Sequence, residues 1–352
     1  MKKDWMVRES ELDDDQLRVL NAVLDKSLVV MGCAGSGKSV LALVKAARIQ
    51  SERGNDYQII VYTKALCAYM NSGRKELGLK KDFYYHWYWK NRLGQPSSDY
   101  TIVDEIQDFT KEEISEFIHS SRKHFFFFGD TAQSIYGGLK ETLPVEDIPY
   151  MFQQGPKPKI FELYRNYRLP KAVAKFVQHI GVDVMPYDES VYKSRANTIP
   201  FVLCFGNSNE QAAFIGETIK RKSLTDAAVL LPHNDMVVDF AKKLSDIGIN
   251  CEMKYTDKED WTMSRDTLNF STTNVKVMTY HSAKGLQFET VFLPWLEKYN
   301  MNEENSRKSL YVAATRTYKD LYLMYSGSMP SVLANIPVSL YKTDTKVIKE
   351  DI

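Results

Sequence analysis

The 352-residue sequence has no surplus of either charge: 46 Lys and Arg stand against 45 Asp and Glu, a formal net charge of +1. There is therefore no global basic field, and attraction to a polyanion has to come from local grooves. Cysteine is scarce, with Cys33, Cys67, Cys204 and Cys251 standing singly and without metal-ligand spacing, so a reduced, cytoplasmic setting is expected. No stretch approaches the roughly 18 uninterrupted apolar residues of a membrane span. The opening Met1-Lys2-Lys3-Asp4-Trp5 turns acidic by Glu11-Leu12-Asp13-Asp14-Asp15 and lacks the apolar core of a signal peptide. Internal repeats and low-complexity tracts are missing too, and neither His86 nor His281 has a second ligand at zinc-like spacing.

What the chain does have is an alternation of short apolar runs with helix-like segments, the pattern of parallel sheets with crossover helices, so the fold class is α/β. In the first half, Leu28–Met31, Gln58–Thr63, Tyr100–Val103 and Phe125–Phe128 read as buried strands, too short and too apolar for surface helices. The most linker-like stretch is Gly155-Pro156-Lys157-Pro158, which puts the division between residues 1–155 and 156–352. Beyond it, Ile160–Leu163, Phe201–Phe205, Ala228–Leu231, Val275–Thr279, Val291–Leu293 and Leu321–Tyr325 read as strands, and Glu210–Lys222 and Asp235–Asp246 as helices.

Three of the first strands end at something chemical, as expected where ligands bind beyond the carboxyl ends of a sheet. After the first comes Gly32-Cys33-Ala34-Gly35-Ser36-Gly37-Lys38-Ser39, a Gly-x-x-x-x-Gly-Lys-Ser phosphate loop in the strand–loop–helix order its mechanism requires. The glycines let backbone N–H groups curl around phosphates, and the following helix adds the positive end of its dipole. Lys38 is expected to reach the β- and γ-phosphates of a nucleoside triphosphate and Ser39 to ligate Mg²⁺. After the third strand stand Asp104 and Glu105, either a helix cap or, downstream of a phosphate loop, a magnesium-holding acid and a water-orienting one. Gly129-Asp130 follows the fourth strand. The second half has no phosphate loop and is expected to complete the site of the first.

Asp104-Glu105-Ile106-Gln107-Asp108 resembles the Asp-Glu-x-Gln-Asp box of the UvrD/Rep family of superfamily 1 helicases. Further boxes are similar in order: Gly129-Asp130-Thr131-Ala132-Gln133-Ser134-Ile135-Tyr136, Asn166-Tyr167-Arg168, His281-Ser282-Ala283-Lys284-Gly285-Leu286-Gln287-Phe288 and Val312-Ala313-Ala314-Thr315-Arg316. The resemblance spans roughly residues 12 to 325 and implies two RecA-like domains closing on Mg·ATP in a cleft between them. It implies that Gln133 senses the γ-phosphate, that Tyr167 stacks on adenine, that Arg168 and Arg316 act as arginine fingers, and that Gln16 reads adenine. Gln287 falls at the ribose position. Gly35, Ser36 and Gly37 line the phosphates. Thr63-Lys64-Ala65 and Tyr85-His86-Trp87 fit two boxes that contact single-stranded DNA, and the Tyr280-His281 region would alternate grip with Thr63-Lys64.

Departures accompany the matches. Few residues separate Tyr85-His86 from the Asp104 strand, or Gly248-Ile249-Asn250 from the Val275 strand, where the family usually carries large inserted subdomains. After Tyr136 the sequence runs Gly137-Gly138-Leu139-Lys140, without the family's base-stacking aromatic. Tyr84, Tyr85, Trp87, Tyr88 and Trp89 are either its substitute or a helix packed into the first domain. Val40 replaces a usual arginine and Gln287 a usual glutamate.

The expected activity is ATP-driven movement along single-stranded DNA, with 3′–5′ polarity if the resemblance holds and RNA left open as the track. Its rivals are an ATP-gated subunit controlling a nuclease or other effector in a separate chain, and a P-loop kinase. No membrane partner is expected.

Overall fold

The computed structural model describes residues 11–133, 140–153, 155–182, 184, 186–256, 264–300 and 303–344. Chain contacts divide them into two compact units, one ending at Tyr167 and the other beginning at Arg168. No helix among the described residues is long and apolar enough to cross a membrane.

In the first unit α1 (Asp14–Asn21) begins at a reciprocal cap: Asp13 Oδ1 accepts from Gln16 N at 2.8 Å and Gln16 Oε1 from Asp13 N at 3.0 Å. Then follow β1 (Leu28–Gly32), α2 (Lys38–Arg53), β2 (Tyr57–Val61), α3 (Lys64–Glu76), β3 (Phe83–Tyr85), α4 (His86–Asn91), β4 (Ser98–Val103), α5 (Lys111–Ser120), β5 (Ser121–Gly129) and β6 (Lys159–Leu163). The strands form one parallel sheet in the order β3-β2-β4-β5-β1-β6. Its core gathers Val29, Ile60, Val103 and Phe127 with Trp89, Phe109 and Phe117. Trp89 is tied there by its indole N–H, which donates to Gln58 Oε1 at 2.9 Å, while Gln58 Nε2 donates to Thr101 and Ser120 hydroxyls. The buried polar atoms are thereby paired, as a core requires.

The expected boundary after residue 155 is corrected by β6. Ile160 to Leu163 was expected in the second series of strands, but β6 pairs with β1 in register Val29↔Ile160 and Gly32↔Leu163, and so belongs to the first sheet. A Pro-containing stretch punctuates the chain locally without ending a core.

The second unit contains α6 (Lys171–Val177), β7 (Phe201–Phe205), α7 (Ser208–Arg221), β8 (Ala227–Leu231), α8 (Asn234–Asp246), β9 (Cys251–Tyr255), β10 (Arg265–Asp266), β11 (Val275–Thr279), β12 (Phe288–Leu293), α9 (Glu304–Ala314), β13 (Thr317–Ser326) and α10 (Ser331–Ala334). The sheet order is β10-β9-β11-β8-β12-β13-β7, parallel apart from the β9–β10 pair. α7 and α8 cover it through Ile215, Val237, Phe240 and Leu244, which meet Val229, Val277, Phe292 and Tyr322. At the β7 edge, Val202 N donates to Lys342 O and Lys342 N to Pro200 O, both at 2.9 Å.

Candidate nucleotide site

The residues expected to bind nucleotide gather at the carboxyl edge of the first sheet. β1 runs into the phosphate loop, β4 into Asp104-Glu105 and β5 into Gly129-Asp130. Gly35 and Gly37 have φ of 73° and 89°, conformations that L side chains avoid. A Cβ on Gly37 would also stand 2.8 Å from Gln16 Nε2, which donates to Ser36 O at 2.9 Å. Gln16 therefore props the loop from α1. Lys38 folds back over the loop, its ammonium donating to Gly32 O at 2.7 Å and Cys33 O at 3.0 Å. Ser36 Oγ is buried without a hydrogen-bond partner, inside a loop built to surround an anion.

Ser39 Oγ donates to Asp104 Oδ2 at 2.6 Å, and Asp104 Oδ1 accepts from Glu105 N at 3.0 Å. Burial, followed by the neighbouring Glu105 charge, pushes the Asp104 carboxyl up to about 7, against the opposing pull of Ser39 and Lys38. A hydroxyl and a buried carboxylate in contact are a hard-oxygen donor set that fits Mg²⁺. Glu105 itself takes a left-handed backbone, φ 58°, and accepts from Gln107 Nε2. Gln107 Oε1 in turn accepts from Asp130 N at 2.9 Å, and Asp130 Oδ2 from Gln133 Nε2 at 2.6 Å. Glu105, Gln107, Asp130 and Gln133 thus form one chain of hydrogen bonds across the ends of β4 and β5. Gln107 is the link that spacing alone did not assign; its signal was its place inside the acidic box.

Tyr167 closes the first unit. Its N–H donates to Gly35 O at 2.9 Å and its phenol donates to Asp13, which Arg165 also approaches at 3.3 Å. Burial and the Asp13 charge push the phenol up to about 12. The aromatic ring is thereby held beside the phosphate loop from both its backbone and its tip.

In the second unit Arg168 and Arg316 meet at the end of α9. Arg168 donates to Thr315 O at 3.4 Å, while Arg316, fully buried, donates through Nε to Val312 O at 2.8 Å and through a terminal nitrogen to Thr315 Oγ1 at 3.2 Å. Carbonyls at a helix C-terminus are the natural seat of guanidinium groups. Phe288 N donates to Arg316 O at 2.9 Å, which ties the segment holding Lys284 and Gln287 to the same place. Lys284 is buried, and Gln287 and His281 are half-buried.

Two of the residues expected to grip nucleic acid turn inward. His86 packs edge-on to Phe109 and Phe117 with centroids 5.0 and 5.5 Å away, and burial pulls its imidazole down to about 4 despite Glu113 at 3.8 Å. Tyr280 is completely buried, with its hydroxyl unpartnered and its ring 5.8 Å from Tyr299. Thr63 caps α3 by accepting from Leu66 N at 3.1 Å, and Lys64 is exposed. Ser134, Ile135 and Tyr136, with the Gly137-Gly138-Leu139 departure, lie outside the described residues.

A parallel sheet with a phosphate loop after β1 whose Ser39 meets Asp104 after β4, two strands away, defines a P-loop nucleotide-binding protein. The model of the viral superfamily 1 RNA helicase core domain matches residues 28–233, more than half of the chain, and that of the UvrD-like helicase C-terminal domain matches residues 256–328. The chain belongs to the superfamily 1 helicases. A probable DNA helicase of Mycoplasma pneumoniae is 24% identical over 248 residues, 65% of this chain and 44% of that protein. The RecBCD enzyme subunit RecB of Chlamydia pneumoniae is 39% identical over 69 residues, 19% of this chain and 7% of its own. The chain spans less than half the length of these relatives. Among solved structures, the C-terminal domain of a possible DNA helicase from Lactobacillus plantarum aligns with TM-score 0.39 and 22% identity, covering 50% of this chain and 98% of that one. An arterivirus nonstructural protein 10 helicase aligns with TM-score 0.46 and 15% identity, covering 92% and 64%.

Proposed function

We propose that the chain hydrolyses ATP and uses the cycle to move along single-stranded nucleic acid. The observation that carries the hydrolytic half is the Ser39–Asp104 contact beside the phosphate loop, with Glu105 next in the chain. Ser39 and Asp104 would hold Mg²⁺, which when bound neutralises charge on the phosphates. Lys38 leaves the Gly32 and Cys33 carbonyls for the β- and γ-phosphates. Glu105 orients and deprotonates the attacking water, and Gln133, held by Asp130, registers the γ-phosphate. Arg168 and Arg316 supply positive charge to the transferring phosphoryl group. Tyr167 stacks on the adenine, Gln16 reads its edge and Gln287 lies toward the ribose.

Membership of a helicase family supports nucleic acid as the partner, and Thr63, Lys64 and His281 as its contacts. DNA as the track and 3′–5′ polarity belong to the same proposal. The test is phosphate release with and without single-stranded DNA, single-stranded RNA and duplex. One single-stranded polymer is expected to stimulate release. Glu105→Gln is expected to lower it by about 10²–10⁴-fold while nucleotide still binds, and Lys38→Ala to abolish it. Release indifferent to every polymer would overturn translocation and favour a partner-controlling ATPase.

A further inference from the structure

The segment from Phe83 to Asn91 passes from β3 into α4, and the change of period sorts its aromatic rings. Phe83 and Trp89 go to the core, and His86 packs beside Trp89. Tyr85, Trp87 and Tyr88 stay outside: Trp87 is 52% and Tyr88 39% exposed, and Tyr85 is half-buried. The Tyr85 and Trp87 planes are only 10° apart with centroids at 6.4 Å, and Tyr88 is tilted 31° from Tyr85 at 5.9 Å. The exposed Arg92 places its guanidinium 5.7 Å over the Trp87 ring. Large aromatic faces left in water as a contiguous patch mark a binding surface.

Position and charge select the occupant. β2 and β3 are parallel with Val61 opposite Tyr85, so Lys64 and Trp87 follow strands that end at the same carboxyl edge as the phosphate loop. Near-parallel rings with Arg92 over one of them, beside a strand that leads to the exposed Lys64, match a polymer that alternates flat bases with phosphates. A duplex hides its base faces and a lipid surface offers no rings to stack.

We propose that Tyr85, Trp87 and Tyr88 form a stacking platform for the bases of a single strand, with Arg92 and Lys64 meeting its phosphates. The platform rests on the reading of this chain as a nucleic-acid motor and names the surface that reading leaves open. It also places the grip away from His86, whose imidazole faces the core.

The test is fluorescence anisotropy of the full chain with a labelled oligo-dT and with an abasic strand of equal length. The wild type should prefer the base-bearing strand by roughly tenfold or more. Trp87→Ala should erase that preference and Trp87→Phe retain most of it, while Arg92→Ala should weaken both strands alike and lower the salt slope by about one. Circular dichroism of each variant reports folding separately. Trp87→Ala keeping the wild-type preference would overturn the platform, as would its weakening both strands equally. A wild type that hydrolyses ATP but binds neither strand would instead remove the nucleic-acid reading itself.

Discussion

Lys45 lies on α2 without exposed surface, its ammonium donating to the carbonyls of Val19, Leu20 and Ala22 at 3.2, 3.2 and 2.6 Å. Burial holds its pKa down to about 7, with Arg48 adding to the effect. The unfolded chain binds that proton up to about 10.4, so in the window above pH 7 it carries more protons than the folded one, and stability rises with pH. Below pH 7 both states are charged and the penalty is constant. Relative to Lys45→Met, the wild type should therefore gain up to about 1.4 kcal/mol per pH unit through this window, read by urea denaturation; parallel curves would mean that the carbonyls keep the ammonium charged. Gly37→Ala should fail for a steric reason, since φ is 89° and the new Cβ would stand 2.8 Å from Gln16 Nε2. We expect at least a roughly tenfold loss of nucleotide affinity (~1.4 kcal/mol) in a fluorescent-nucleotide titration. The meeting of Ser39 with Asp104 beside Lys38 was legible, because the spacing of the two motifs puts them just after β1 and β4. The inward turn of His86 and Tyr280 was not, because side-chain direction depends on which elements pack above the strand ends.

At the scale of elements, most strands could be read from short apolar runs, and β3, β9 and the two-residue β10 could not. β3 is three residues long and aromatic, which a helix accommodates as readily. In β9, Cys251, Met253 and Tyr255 pack toward the second core while Glu252 binds Asn269, Thr272, Asn274 and Lys276 on the other side. That alternation is a strand signal, diluted by its polar half. The reciprocal cap on α1 went unread, although Asp13 and Gln16 stand three apart as such a cap requires. Asp13→Ala should cost about 1 kcal/mol through the lost cap, measured by thermal unfolding. It should also weaken ATP more than tripolyphosphate in competition binding, because the Tyr167 phenol loses its acceptor while the phosphate loop stays; equal weakening would separate Tyr167 from base recognition.

For the whole molecule, the parallel α/β class followed from the alternation of elements, whereas the boundary did not, because a linker-like composition marks a turn and not the edge of a core. A fragment of residues 11–167 should unfold cooperatively by circular dichroism. One ending at Gly155 lacks β6, bares the β1 backbone, and should lose cooperativity or melt lower; equal melting would detach β6 from the first core. The Lys342 bridge on β7 has a consequence of a different kind. An outer strand offers its unpaired amides to any other strand it meets, and Lys342 occupies one such position by hydrogen-bonding on both sides of it. Trimming the chain before Tyr341 is expected to turn that position into a template for self-association, visible as concentration-dependent light scattering, which would make the Lys342 bridge a guard against aggregation.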